Sequence, residues 1–230
     1  MKNKPTAKEL ILKTLQDKSN IKQQVYKNIT EIFKILKDVL QELVKEYNKS
    51  LKVDKRVILE YKDRGAFEAE IKVAGDLLIF NMHSNIFEFD RGHGIWKTSY
   101  VQDNVMSTYS GIINIYNFLS DSFKYNRLDD IGYLIARIFI NKDNHYFVEG
   151  KRQLGFLYNN FEDSIIDKDA IKNIIESAIL YSLDFDLFVP PYDNVKIVSV
   201  AQMKEKINKS KIQTGKRLGF KFYADDDNVE

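Results

Sequence analysis

The 230-residue chain has no cysteine, 3 prolines, 10 glycines and a single tryptophan. Without cysteine there is no disulfide framework, no thiolate zinc site, no iron–sulfur cluster and no thiol nucleophile. Glycine and proline together reach about half their usual share, which argues against long flexible linkers. Neither G-x-G-x-x-G nor G-x-x-x-x-G-K-[ST] occurs, so the dinucleotide and P-loop fingerprints are missing. There is no G-x-S-x-G elbow for a serine nucleophile. The three histidines, His83, His93 and His145, lack the H-x-x-x-H spacing that puts two ligands on one helix face. The longest uncharged run, Asn104 to Ser120, is 17 residues rich in Asn, Ser and Tyr, too short and too polar for a membrane span. Charges spread through the N-terminal segment leave no apolar signal region. A cytoplasmic protein without cofactor or resident metal is expected.

Ile, Lys and Asn supply 72 residues, a bias that points to AT-rich coding and a low-GC bacterial or viral source. The formal net charge of +2 conceals a division. Residues 1–50 carry +5, residues 51–200 carry −5, residues 201–223 carry +6, and the last seven carry −4. The basic stretches are the places to look for an anionic partner.

Hydrophobic periodicity predicts an α+β fold. Thr6 and Glu9 form a capping box that opens a first helix, with a break expected at Asp17–Asn20. From Ile21 to Lys49 apolar residues recur every three or four positions, from Val25 through Phe33 and Leu40 to Tyr47, giving one broad apolar face. That face is expected to pack on a sheet; pairing with a second copy, and so a structural or assembly role, is the alternative. Four short β-rich segments follow, Val57–Lys62, Ala66–Val73, Asp76–His83 and Ile86–Asp90, joined by turns so short that neighbours must be antiparallel. A strand is expected at 111–119, and a hairpin from Ile131 to Glu149 around Asn141-Lys142-Asp143-Asn144. Leu154–Tyr158 is expected to extend the sheet. Asp167 caps a helix over 168–183. Beyond Pro190-Pro191, a strand at 195–198, a basic helix from Ser199 and a strand at 218–223 precede the acidic tail, 224–230. The expectation is one domain: an antiparallel meander of six to eight strands in the region 55–160, packed by N-terminal helices within 6–49 and by a C-terminal α/β segment, 167–223.

Two segments stand out chemically. The loop Arg91-Gly92-His93-Gly94-Ile95-Trp96 holds the only tryptophan beside cationic or titratable groups, suited to stacking on a ring and holding an anion. The stretch Gly-Lys-Arg-Gln-Leu-Gly-Phe at 150–156 is echoed by Gly-Lys-Arg-Leu-Gly-Phe at 215–220. If the two lie side by side, Lys151, Arg152, Lys216 and Arg217 form one basic cluster, with Phe220 and Tyr223 as stacking surfaces. Together these residues predict a non-catalytic domain that contacts an anionic ligand, a nucleic acid or a protein partner. A third pattern, Asp63 with Glu70-Ile71-Lys72 on a hairpin after a helix, resembles the core of the PD-(D/E)xK nucleases. That resemblance implies two carboxylates holding a divalent metal and a lysine activating water, and with them an enzyme.

Overall fold

The structure, a computed structural model, describes residues 5–51, 57–128 and 130–184, with positions 197, 199–201 and 204 beyond them. Lys216, Arg217, Phe220, Tyr223, the Pro190-Pro191 turn and the acidic tail lie outside the described residues. So do the strand expected at 218–223, most of the strand at 195–198 and most of the basic helix after Ser199, of which positions 200, 201 and 204 are described and helical.

The first helix, α1 (Ala7–Thr14), has the capping box in place: Glu9 N donates to Thr6 Oγ1 at 3.3 Å and Thr6 N to Glu9 Oε2 at 2.8 Å. The break expected at Asp17–Asn20 does not occur. A π-helical turn, Leu15–Ser19, carries the chain directly into α2 (Asn20–Ser50). Asp17, Ser19 and Asn20 are poor helix formers, but without Gly or Pro they cost too little to end the helix, and a wide turn absorbs the irregularity.

Among the described residues, seven strands form one sheet: β1 (Glu60–Asp63), β2 (Glu68–Val73), β3 (Asp76–Met82), β4 (Phe87–Glu88), β5 (Tyr109–Leu119), β6 (Tyr133–Asn141) and β7 (Tyr146–Gly150). Their order is β1-β2-β3-β5-β6-β7 and every pairing is antiparallel. The segment expected as a fourth full strand is only the two-residue β4. It pairs with Ser110 and Tyr109 at the start of β5, because β3 already occupies that edge of β5 from Ile113 to Leu119. A bulge between Ile115 and Tyr116 shifts the β5–β6 register.

Leu154–Tyr158 does not extend the sheet. After two other short helices, α3 (Ser99–Asp103) and α4 (Ser120–Lys124), Gln153–Phe156 instead forms a single helical turn, α5. Gly155 sits so close to Gly150 that a Cβ there would meet the Gly150 carbonyl oxygen at 2.2 Å, a folding back that an extended strand cannot make. The following segment still covers β7: Val148 N donates to Tyr158 O at 2.9 Å and Tyr146 N to Ser164 O at 3.0 Å. Such irregular cover protects an exposed sheet edge. The last full helix, α6 (Lys168–Leu183), begins where expected, with Asp167 Oδ1 accepting from Ala170 N at 2.8 Å.

Helices α2 and α6 share one face of the sheet. Val25, Ile29, Ile32, Phe33, Leu36, Val39, Leu40 and Leu43 of α2 are all buried, each worth roughly 1.5–3 kcal/mol. From Ile29 onward they meet Ile71, Leu78, Phe80, Ile113, Ile115, Ile138 and Val148 of the sheet and Ile171, Ile174 and Ile175 of α6. The apolar stripe of α2 is therefore buried within the protomer, and a helix-mediated dimer through it would first have to remove the sheet. The opposite face has a smaller core of Ile95, Val101, Ile112, Phe139, Phe147 and Phe161, joined by Phe89, Trp96 and Tyr100. It lies under the connection between β4 and β5, which contains a 3-10 turn (Gly94–Lys97) and a short helix (Ser99–Asp103). No helix among the described residues is long and apolar enough to cross a membrane.

Candidate functional site

The loop after β4 is built by its own polar groups. Asp90 Oδ1 accepts from Gly92 N at 2.8 Å, and Asp90 O accepts from His93 N at 2.9 Å. His93 Nδ1 accepts from Ile95 N at 3.2 Å, which starts the 3-10 turn. The Trp96 indole donates to Asp90 O at 2.8 Å and to Phe89 O at 3.3 Å. Its hydrogen bonds and the apolar layer below fix the ring in one position while part of it stays accessible. The Arg91 guanidinium lies 3.9 Å from the centroid of that ring, and its side chain is 71% exposed. A stacked cation on an indole is an attractive pair that still presents charge outward.

Arg91 Nη2 also contacts Glu88 Oε1 at 3.2 Å, and Tyr109 donates to the other oxygen of Glu88 at 3.2 Å. Above the Tyr109 ring stand two more cations. Lys18 and Lys22 each place Nζ 5.4 Å from its centroid. They are four residues apart, hence on one side of the helix. The Tyr109 hydroxyl beside Lys18 raises the pKa of that ammonium. Lys18, Lys22 and Arg91 thus gather about Tyr109 and Trp96, with Glu88 bonded to both Arg91 and Tyr109. Lys18, Lys22, Glu88 and Tyr109 were not marked by the sequence as site residues. The spacing of the two lysines was visible, but nothing local tells that they meet a tyrosine some ninety positions later.

On its inner side the loop reaches the sheet. His93 stacks on Phe89, and its Nε2 lies 3.5 Å from Glu149 Oε1. Arg137 pairs with the second oxygen of Glu149. Arg91, His93 and Trp96 are thus brought together. Lys151 and Arg152 are exposed and follow β7, with Arg152 placed over Tyr181 of α6 at 5.7 Å. They lie toward the helical side and not in the loop cluster.

The three residues of the nuclease resemblance do not converge. Asp63 pairs with Lys37 of α2 at 2.9 Å, on the helical side, and its carboxylate also accepts from Gly65 N at 2.7 Å. The Lys37 ammonium and that backbone bond hold the Asp63 carboxyl below its ordinary pKa. Glu70 projects from the other face, buried and bonded to Arg64, and Lys72 pairs with Glu60 at 2.6 Å. Two carboxylates on opposite faces of a sheet cannot share one metal ion. His83 Nδ1 caps its own turn by accepting from Asn85 N at 3.0 Å, and His145 stacks on Tyr100 at 4.5 Å. Among the described residues no group of three His, Cys, Asp or Glu side chains is placed to hold a metal.

Fold and surface together define an α+β protein with helices on one face of an antiparallel sheet and a basic-aromatic loop surface at the rim of the other. Comparison with known protein families, with curated proteins and with solved structures yields no match to the chain.

Proposed function

We propose that the chain is a non-catalytic binding domain that holds single-stranded nucleic acid at Lys18, Lys22, Arg91 and Trp96, with the buried Tyr109 ring beneath the two lysines. The observation that carries this is the exposed Arg91–Trp96 stack beside two lysines, with Arg91 paired to Glu88 and both lysines over Tyr109. Cations that follow a phosphate backbone and a ring on which a base stacks are the two parts of a sequence-tolerant single-strand site. The pairs Lys151–Arg152 and Lys216–Arg217 offer, in this proposal, a second set of phosphate contacts further along the strand.

Trp96 is the only tryptophan in the chain, so its fluorescence reports on this site alone. Titration with a short single-stranded oligonucleotide at low salt is expected to quench that emission. Arg91→Ala removes a charge-assisted contact worth about 1.5–3 kcal/mol, so its affinity should fall by roughly tenfold or more. Unchanged emission in the presence of oligonucleotide, or an unchanged affinity for the variant, would remove the loop from the binding surface. Lys151→Glu and Arg217→Glu test the second set in the same titration.

A further inference from the structure

One line of side chains crosses the open face of the sheet. Glu68, Asn81, Asn114, Arg137 and Glu149 are successive cross-strand partners on β2, β3, β5, β6 and β7. Their chain neighbours Ala69, Phe80, Ile113, Ile138 and Val148 all sit in the main core under α2. By strand alternation the five therefore point away from the helices. Each is half-buried, and four strand steps make the row about 19 Å long.

The row has an ordered chemistry. Its ends are ion pairs: Arg64 with Glu68 at 3.6 Å and with Glu70 on one side, Arg137 with Glu149 on the other. Its centre is two amides, Asn81 and Asn114, directly opposite each other. Among the described residues, neither amide makes a side-chain hydrogen bond to the protein. Each presents a donor and an acceptor. Beside the row on one flank run Ile79, Tyr116 and Leu134, again cross-strand partners, with the half-buried Phe118 ring beyond. On the other flank lie Phe139 and Phe147, roofed by Phe89 and His93 of the loop that carries Arg91 and Trp96.

We infer that this row is the base-reading part of the proposed single-strand site: unpaired nucleobases lie across the sheet with their edges on Asn81 and Asn114. The inference rests on the nucleic-acid function proposed above. Charge complementarity separates bases from backbone here. Arg64 and Arg137 are matched by Glu68, Glu70 and Glu149, so the row offers phosphate no net positive charge, while its carboxylates accept from the exocyclic amino groups of bases and its amides match adenine edges. Phosphates then belong at the rim, on Lys18, Lys22 and Arg91. A sheet with helices behind and aromatic and polar side chains in front takes two or three unstacked bases in other single-strand binders, and the row has the length for that.

The test compares two strands of equal length, one of deoxyadenosines and one a sugar–phosphate chain without bases, by Trp96 quenching. The native protein is expected to bind the base-bearing strand at least tenfold more tightly, about the discrimination of one well-placed bidentate contact, with stacking on Trp96 adding to it. Asn81→Ala combined with Asn114→Ala should weaken binding of the base-bearing strand about tenfold and narrow the gap between the two strands to what that stacking contributes. In the native protein, the side-chain amide NMR signals of Asn81 and Asn114 should shift with the first strand and stay in place with the second, a readout that does not depend on how the variant folds. Equal native affinity for both strands, or amide signals that do not move, overturns the base-reading row while leaving rim binding intact. Absence of quenching by either strand overturns the nucleic-acid proposal and the row with it.

Discussion

Among single residues, Arg152 carries the clearest strain. Its backbone has φ +48° and ψ −126°, a conformation that an L side chain adopts only at a cost of order 1–3 kcal/mol and that glycine takes freely. Its guanidinium sits 5.7 Å from the Tyr181 ring, and at an exposed site such a contact returns about 0.5–1 kcal/mol. Arg152→Gly is therefore expected to stabilise the fold by about 1 kcal/mol in urea denaturation; a loss of stability would mean that the stack outweighs the strain. Asp143, at the tip of the β6–β7 hairpin, is a second informative residue. Burial pushes its carboxyl pKa up, but hydrogen bonds from Lys142 and Tyr100 outweigh that and hold it below the ordinary value. A depressed folded pKa contributes stability that is present above the unfolded value, about 3.9, and is lost as pH falls through the folded one. Asp143→Asn should therefore flatten part of the fall in melting temperature below about pH 4, while the native protein keeps the steeper fall.

Elements meet where side chains leave room. Gly111 of β5 lies where α2 crosses the sheet, and a Cβ there would come within 2.4 Å of Ile29 Cδ1 and 3.0 Å of Ile29 Cβ. Gly111→Ala should cost about 1–3 kcal/mol by overpacking. Ile29→Ala in that background should cost less than it does alone, a coupling above about 0.5 kcal/mol in a double-mutant cycle. Additive effects would show that the helix simply moves away. The strand expected at 111–119 does include Gly111, but the reason for glycine there is a helix some eighty residues earlier. That contrast runs through the whole fold. The α2 stripe, the Asp167 cap, the β1–β2–β3 turns and the Asn141–Asn144 hairpin were legible because each is set by residues within a few positions of one another. The short β4, the helical turn at Gln153 and the continuous π turn were not. Each is decided by competition for a sheet edge, by a close approach of Gly155 to Gly150, or by the absence of a strong breaker. The candidate site divides the same way. Arg91, His93 and Trp96 are near in sequence and were found together, whereas Lys18, Lys22, Tyr109 and the Asn81–Asn114 pair are assembled by strand and helix placement.

At the scale of the whole molecule, the near-neutral total of +2 gives no general attraction for a polyanion, so the proposed binding has to come from local cations, and its salt dependence counts them. Each phosphate neutralised on a single strand releases condensed counterions and contributes about −0.7 to the slope of log K against log salt. If Lys18, Lys22 and Arg91 are the only phosphate contacts, the slope should be about −2; if Lys151, Arg152, Lys216 and Arg217 also engage, it should approach about −5. The acidic middle of the chain and its last seven residues, which carry −4, do not alter this count, because a carboxylate holds no condensed counterion of the strand. Titrations of Trp96 emission between about 50 and 200 mM salt, the range over which phosphate contacts lose most affinity, therefore measure how many basic groups touch the backbone. A slope near −2 that falls to about −1.4 in Arg91→Ala places binding on the loop, the π turn and the first turn of α2 alone. A slope near −5 that Lys151→Glu and Arg217→Glu each reduce extends the strand across the molecule to both Gly-Lys-Arg segments. A slope near zero would mean that whatever quenches Trp96 is held without phosphate contacts, and the basic rim would then have no part in binding.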